Sequence, residues 1–150
     1  NNEVAFRCQN GVRFFSGSGG ANQQISWEPG DATWTLTSDR NAKNGFAPVD
    51  GEAVLDKVAS LPIQEWNYIG YGQRHMGPMA QDFRAAFGLG RSDTAIDGGD
   101  LHGVALASIQ GLHRRLQEKD RQLAAQEREL DALRQDVRAL HARLDKMESR

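Results

Sequence analysis

The clearest hydrophobic pattern in the chain is a heptad repeat along its last third. If Ile109 is counted as position a, every a position up to residue 144 is apolar, and the d positions are apolar except at Lys119 and Gln126. An a/d repeat sustained over this length is typical of a coiled coil, so we predict one helix over residues 101–150. The a positions are Ile109, Leu116, Leu123, Leu130, Val137 and Leu144, and the d positions are Leu112, Lys119, Gln126, Leu133, Leu140 and Met147.

The residues that flank this seam indicate how the helices associate. Oppositely charged residues recur at position g of one heptad and position e of the next, and such pairs meet only in a parallel, in-register bundle. Leucine at most a positions differs from the pattern that favours dimers, so we predict a parallel trimer, with a dimer as the alternative. A lone helix folding back on its own domain is a further alternative. The g–e pairs are Arg115 with Asp120, Glu129 with Arg134, Asp136 with His141, and Arg143 with Glu148.

Residues 1–37 show the alternating pattern of short β strands. The predicted strands are residues 4–8, 12–15, 25–27 and 34–36, separated by a turn at Asn10-Gly11, a loop at 16–20 and a turn at 28–31. Four short strands do not bury their tryptophans and phenylalanines by themselves, because isolated hairpins are marginal in water. Either the strands pack on the rest of this chain, or three copies complete one another's core as the end of a β stalk. The coiled coil favours the stalk.

The residues between these regions alternate between helical and strand patterns. Val54, Leu55, Val58 and Leu61 predict an amphipathic helix that Pro62 ends. We also predict a strand over 63–69, a helix from Pro78 with a buried stripe of Met79, Phe83 and Phe87, and an exposed loop at 88–99. The fold class is therefore α+β. We divide the chain into 1–37 (end of a β stalk), 38–100 (a small mixed domain) and 101–150 (the coiled-coil helix).

Composition excludes several classes of function. The formal net charge of -2 provides no general attraction to nucleic acid or anionic lipid, so we expect neither as a partner. Cys8 is the only cysteine, which excludes an intrachain disulfide and CxxC metal sites; we expect no metal and no cofactor. No apolar run approaches the ~20 residues of a membrane helix. We expect the chain to be part of a longer protein whose targeting signal lies upstream.

Candidate chemistry lies at the junction between the strands and the mixed domain. Ser38 is followed five residues later by Lys43, with no bulky side chain between them. A serine hydroxyl is a weak nucleophile that needs an adjacent base, and lysine is one residue type that can act as that base. The spacing alone is not specific, since Ser-Asp is also a common way to begin a turn.

The six residues from Ser38 to Lys43, taken together, are more specific than the spacing of the serine and the lysine alone. Ser38-Asp39-Arg40-Asn41-Ala42-Lys43 resembles the opening signature of the intramolecular chaperone auto-processing domains, peptidase family S74, found at the C-termini of phage tailspikes such as endosialidases and of some bacterial surface proteins. The resemblance continues in order to about residue 120. Asp82 stands where glutamate is usual, and the polar loop at 91–100 also departs from the phage pattern. The later similar segments are 54–58, 66–68, 74–83 and 104–112.

The resemblance implies roles for individual residues. Ser38 would be the nucleophile and Lys43 the general base, and the bond cut would be the one between Thr37 and Ser38 of the same chain. An oxyanion site is also required. We name His75 and Gln81 as candidate oxyanion donors or supporting hydrogen-bonding groups, with a purely structural role as the alternative.

The base needs a particular environment. A lysine accepts a proton near neutral pH only when its pKa falls from ~10.4 towards ~7–8, which burial away from carboxylates achieves. Trp34, Phe46 and Trp66 are candidate walls of such a pocket. Asp39 is expected to be a turn residue and not a third catalytic member, because a carboxylate beside Lys43 would favour the charged amine.

The order of these parts predicts a function. The coiled coil would bring three chains together, the middle domain would assist the folding of an upstream β-rich fibre of the same polypeptide, and self-cleavage would release the chaperone. The expected location is a phage tail or the bacterial surface. The alternatives are a non-catalytic trimerisation or stalk module of a surface fibre or adhesin, and a regulator that releases a DNA-binding part. The last is weaker, because residues 1–37 contain few basic residues and no recognition helix.

Overall fold

The computed structural model describes residues 3–16 and 23–148, apart from the side chains of Gln23 and Glu148. It contains small antiparallel sheets, short helices and a long C-terminal helix, which confirms the predicted α+β class. The chain divides into two compact units, Asn1–Pro48 and Val49–Arg150, which are described separately. Within the described ranges, no helix is both long enough and apolar enough to cross a membrane. The coiled coil and the number of chains in it stay predictions.

The first unit contains a three-stranded antiparallel sheet in the order β1-β2-β3. Its strands are β1 (Val12–Ser16), β2 (Gln23–Trp27) and β3 (Thr35–Leu36), which confirms three of the predicted strands. Ile25 in β2 lies opposite Phe14 on one side and Leu36 on the other. Most of the predicted loop at 16–20 lies outside the described residues.

The predicted first strand, residues 4–8, is wrong for the single chain. These residues form no strand, and Phe6 is 82% exposed. A strand needs a hydrogen-bonded neighbour, and among the described residues β1 pairs only with β2. Alternation in the sequence indicates which side chains could share a face of a strand. It does not provide the neighbouring strand to which that strand must hydrogen-bond.

The aromatic side chains of the sheet contact one another without forming a closed core. Trp34 lies 5.8 Å from Phe14 and 5.9 Å from Trp27, measured between ring centroids. All three rings are nevertheless 41–58% exposed. This agrees with the expectation that these strands do not bury their aromatics by themselves.

The second unit begins with short elements that precede a long helix. They are helix α1 (Gly51–Ser60), strands β4 (Gln64–Trp66) and β5 (His75–Gly77), which pair antiparallel, and helix α2 (Ala80–Phe87). Asp50 caps α1, since its carboxylate accepts the N–H groups of Glu52 and Ala53. The predicted stripe of α2 is confirmed: Phe83 is 3% exposed, and Met79 and Phe87 are half-buried.

The strand predicted over 63–69 is shorter in the structure. β4 ends at Trp66, and the Tyr71 N–H donates to the Tyr68 carbonyl at 2.9 Å to close a tight turn. Gly70 has a φ of 87°, which glycine adopts at little cost. The turn takes Tyr68 and Ile69 out of the alternating strand.

Helix α3 spans Gly98–Glu148, 51 residues, or about 75 Å at ~1.5 Å per residue. It begins before the predicted residue 101 because the Asp97 carboxylate accepts the Gly99 N–H at 2.7 Å, as an N-cap does. The apolar a and d side chains from Ile109 to Met147 are 47–74% exposed in the single chain. A seam of this length left in water favours association with further helices.

Two glycines let α1 lie directly against α3. Gly51 and Gly111 are both buried, and a Cβ added to Gly111 would overlap the Gly51 carbonyl. A Cβ on Gly51 would come within 2.6 Å of the Ala107 carbonyl. Any larger residue at either position must therefore separate the helices.

We expect Gly111→Ala to lower the free energy of unfolding of the second unit by ~1–3 kcal/mol, because the added methyl group overpacks this crossing. Gly103→Ala is the matched control, since Gly103 is on the same helix with open space around its Cβ position. The control should raise stability by roughly 0.5–1 kcal/mol through helix propensity. Urea unfolding followed by circular dichroism separates the two. Equal effects would contradict the tight crossing.

An ionic contact also joins α1 to α3. Arg115 Nη2 lies 2.7 Å from Asp56 Oδ2, and Arg115 Nε lies 3.4 Å from Glu52 Oε2. The hydrogen bond from Arg115 lowers the pKa of Asp56 below its ordinary value. The contact therefore stabilises the folded unit above the ordinary carboxyl pKa, and its contribution is lost as pH falls through the lowered value. Arg115, predicted to pair with Asp120 of another chain, is thus already bonded within its own.

Candidate active site

The residue before the predicted cleavage point is held by the sheet. Thr37 follows β3 directly, and its N–H donates to the Gln24 carbonyl at 3.2 Å. The Gln24 N–H donates to the Thr37 hydroxyl at 3.3 Å, and the Thr37 side chain is half-buried. The carbonyl side of the Thr37–Ser38 bond therefore has a defined position on β2.

The residues after the cleavage point form a single capped turn. Asp39 caps the 3₁₀ helix Arg40–Ala42, and its Oδ1 accepts the Asn41 backbone N–H at 2.9 Å and the Asn41 side-chain amide at 3.2 Å. The Lys43 N–H donates to the Arg40 carbonyl at 3.2 Å and closes the turn. Asp39 is thus a turn residue, as its position after serine suggests.

This turn brings Ser38 and Lys43 together. Lys43 Nζ donates a hydrogen bond to Ser38 Oγ over 2.7 Å, within the distance at which a nucleophile and its base exchange a proton. An amine accepts the hydroxyl proton only in its neutral form, because a protonated amine has donors only. For Ser38 to be activated, the amine must first lose its proton and then accept one from the hydroxyl across the same distance.

Both members of the pair are exposed in the single chain. Phe46, one of the predicted pocket walls, is 62% exposed and lies beneath the Arg40 guanidinium, 5.2 Å from its ring centroid. Trp34, a second predicted wall, packs in the aromatic group of the sheet. The predicted aromatic pocket therefore does not enclose Lys43 within a single copy.

The other candidate residues belong to the second unit. His75 is half-buried and stacks on Trp66, with 4.6 Å between ring centroids and 24° between planes; Tyr68 contacts the same histidine edge-on at 5.7 Å. Gln81 is exposed in the first turn of α2. Their contribution to an oxyanion site stays a prediction, as does a role for Trp66 in walling the lysine.

Two features of the candidate residues have no signal in the sequence. The Trp66 indole N–H is buried, and no hydrogen-bond partner lies among the described residues. Its burial depends on Tyr68 and His75 meeting it across the β4–β5 hairpin. The Arg40–Phe46 contact likewise depends on the path of the chain after the turn, which local patterns do not define.

Comparison with known protein families finds a match to the segment that begins at Ser38. Residues 38–88, about a third of the chain, match the family model Peptidase_S74, described as chaperone of endosialidase. The match begins at Ser38 and ends at Gly88, the left-handed residue that terminates α2. No significant match was found among curated proteins or among solved structures.

The resemblance to peptidase family S74 is thus confirmed over residues 38–88, the segment that matches the family model. That family is of the self-cleaving, serine-peptidase type and is associated with phage tail or surface fibres. The resemblance of residues 104–112 lies beyond the matched segment and stays a prediction. So do the domain boundaries after residues 37 and 100; the match starts at Ser38, whereas the compact units divide after Pro48.

Proposed function

We propose that this chain is a C-terminal intramolecular chaperone that trimerises, assists the folding of an upstream β-rich fibre of the same polypeptide, and then releases itself by cutting between Thr37 and Ser38. The observation that carries the proposal is the 2.7 Å contact between Lys43 Nζ and Ser38 Oγ at the first residue of the family match. The proposed location is a phage tail or a bacterial surface fibre.

The proposed reaction consumes one water molecule. Neutral Lys43 takes the proton of the Ser38 hydroxyl, and Oγ attacks the carbonyl carbon of Thr37. The tetrahedral intermediate collapses with loss of the Ser38 nitrogen as the leaving amine, to which the Lys43 ammonium returns the proton. Water then hydrolyses the resulting ester, leaving a carboxylate on Thr37 and a free amino group and hydroxyl on Ser38.

Proximity supplies much of the catalysis. The hydroxyl is attached to the residue that follows its target carbonyl, so no encounter step is required. The sheet holds Thr37 and the capped turn holds Ser38, which restricts the movement of the reacting atoms. A single cut over hours, ~10⁻⁴ s⁻¹, needs a barrier near ~23 kcal/mol, a modest demand for an enzyme site.

Assembly of several copies would supply the enclosure of Lys43 that the single chain lacks. Lys43 is exposed to water in one copy, whereas an amine becomes a good base near neutral pH when it is removed from water. The exposed aromatics of the first unit and the exposed seam of α3 both offer surface for further copies. We infer that trimer formation encloses the pair, so that cleavage follows completed folding and makes release one-way.

Incubation of the purified, assembled chain tests the proposal. Intact mass and denaturing electrophoresis should show two new pieces, one ending at Thr37 and one beginning at Ser38. Analytical ultracentrifugation of the same sample should report three copies per particle. An assembled chain that stays whole would overturn the cleavage proposal and leave the non-catalytic stalk module, which the exposed heptad seam also supports.

We expect Asp39→Ala to slow the cut about tenfold, because loss of the cap loosens the turn that sets the Ser38–Lys43 distance, and small misplacements cost up to ~10² in rate. Asp39→Asn is the matched control, since asparagine caps about as well as aspartate and can accept the same bonds. The asparagine variant should cleave at nearly the original rate. Equal losses in both variants would instead assign a role to the carboxylate charge.

A further inference from the structure

Helix α1 lies along one flank of α3 and leaves the heptad seam uncovered. Its first residue, Gly51, packs against Ala107 and Gly111, which are positions f and c when Ile109 is position a. Ile109 itself remains 61% exposed. α1 therefore does not occupy the surface that a second copy would use in the coiled coil.

The side of α1 that faces the seam is an acidic edge formed by Glu52 and Asp56. Both carboxylates bond to Arg115, a g position, and their side chains are still 46% and 62% exposed. Each carboxylate can accept several hydrogen bonds, so one contact with arginine leaves acceptors free. The acidic edge therefore has both the exposure and the chemistry to receive a donor from another chain.

Heptad geometry identifies what would face this edge. In a parallel coiled coil, position g of one helix lies beside position e of the neighbouring helix, five residues further along. Ser108, the g residue that follows Ala107 in the sequence, is 7% exposed, and the corresponding e position on a neighbouring copy is His113. For Arg115, the g residue that the acidic edge bonds, the corresponding e position is Asp120. His113 is exposed, and its Nε2 lies 3.1 Å from the Gln117 side-chain amide on its own helix.

We infer that the acidic edge of α1 is an interaction surface for a second copy of this chain, with His113 of the neighbouring helix lying against Glu52. The inference rests on the proposed function only through the parallel coiled coil. An imidazole N–H is a donor that a carboxylate accepts, and the edge is continuous with the exposed seam. α1 thus becomes part of the interface between copies and not only a support for its own helix.

Cysteine cross-linking tests the inference directly. The test pair is Glu52→Cys with His113→Cys in a chain that also carries Cys8→Ser and Ser38→Ala, so that the chain stays whole and the result does not depend on cleavage. If the thiol introduced at position 52 of each copy reaches the thiol introduced at position 113 of the next, mild oxidation gives covalently linked trimers on a non-reducing gel.

Two further pairs in the same background serve as matched controls. Lys57→Cys with His113→Cys is the negative control, since Lys57 lies over the Phe87 ring, away from the acidic edge. Glu129→Cys with Arg134→Cys is a g–e pair that reports a parallel coil without involving α1. Because a disulfide requires Cα atoms within ~7 Å, we expect at least ~10-fold more cross-linked product from the test pair than from the Lys57 pair.

The outcomes are distinguishable. Cross-linking of the test pair and of the 129/134 pair, with little from the Lys57 pair, supports the inference. Cross-linking of the 129/134 pair alone overturns it while leaving the coiled coil intact. Absence of interchain product from all three pairs overturns both the inference and the parallel assembly, whatever the wild-type chain does in the cleavage assay.

Discussion

Replacing Ser38 should stop self-cleavage, and replacing Lys43 should slow it strongly, while both variants stay folded and assembled. Ser38→Ala removes the oxygen that attacks the Thr37 carbonyl, so no cut is expected at any time. Lys43→Arg keeps the length and charge of the side chain, but guanidinium stays protonated and cannot act as the base. We expect this variant to slow the cut by ~10²–10⁴, the usual contribution of a general base. Intact mass over a time course measures both effects.

Matched controls separate chemistry from folding. Ser60→Ala removes a hydroxyl that bonds only to backbone carbonyls within α1, and Lys57→Arg makes the same basic exchange on that helix. Both should cleave at the wild-type rate. Since Ser38 and Lys43 are exposed in the single chain, neither substitution at the site should alter unfolding of the isolated chain appreciably. Full cleavage by Lys43→Arg would exclude the lysine as the base.

Placing charges in the heptad seam should dissociate the oligomer into monomers. Leu123 and Leu130 are a positions, 56% and 49% exposed in the single chain. Removing one buried leucine side chain costs ~2–5 kcal/mol, and each copy of Leu123→Asp/Leu130→Asp also brings two carboxylates to the shared axis. We expect monomers by analytical ultracentrifugation and a large loss of helical circular dichroism, because long helices gain most of their stability from packing.

The matched control puts the same charges on the outside of the helix. Ala124→Asp/Ala125→Asp changes b and c positions, which lie away from the seam, and the variant should stay assembled. The seam variant should also cut at least ~10-fold more slowly, because the amine stays in water and the general-base contribution is lost. If a monomeric seam variant cuts at the wild-type rate, the proposed Ser–Lys chemistry still stands, but the proposed dependence of cleavage on assembly is wrong.

Agreement between sequence and structure is greatest where neighbouring residues decide the outcome. The heptads predict the long helix, and the apolar spacing from Val54 to Leu61 predicts α1, because periodicity is a local property. Sequence and structure disagree where the formation of a strand depends on a pairing partner or on a turn elsewhere in the chain. Residues 4–8 alternate like a strand but have no neighbouring strand in one copy, and the 63–69 strand is shortened by the turn that Gly70 permits.

The candidate site likewise has residues that the sequence identifies and features that it does not. Ser38 and Lys43 are recognisable because their signature is short and continuous, and a single capped turn suffices to bring the two side chains together. The predicted aromatic walls, by contrast, do not enclose the lysine, which the single chain leaves exposed. The identity of the oxyanion donors depends on long-range packing, which no local pattern defines.

The sequence by itself determined the heptad seam, the α+β class and the Ser–Lys spacing, since each depends on residues a few positions apart. Only the tertiary structure decided that Thr37 is held by Gln24, that two glycines set the approach of α1 to α3, and that Arg115 bonds to α1. These contacts join residues far apart along the chain. They depend on backbone paths and on close packing, which hydrophobic periodicity does not encode.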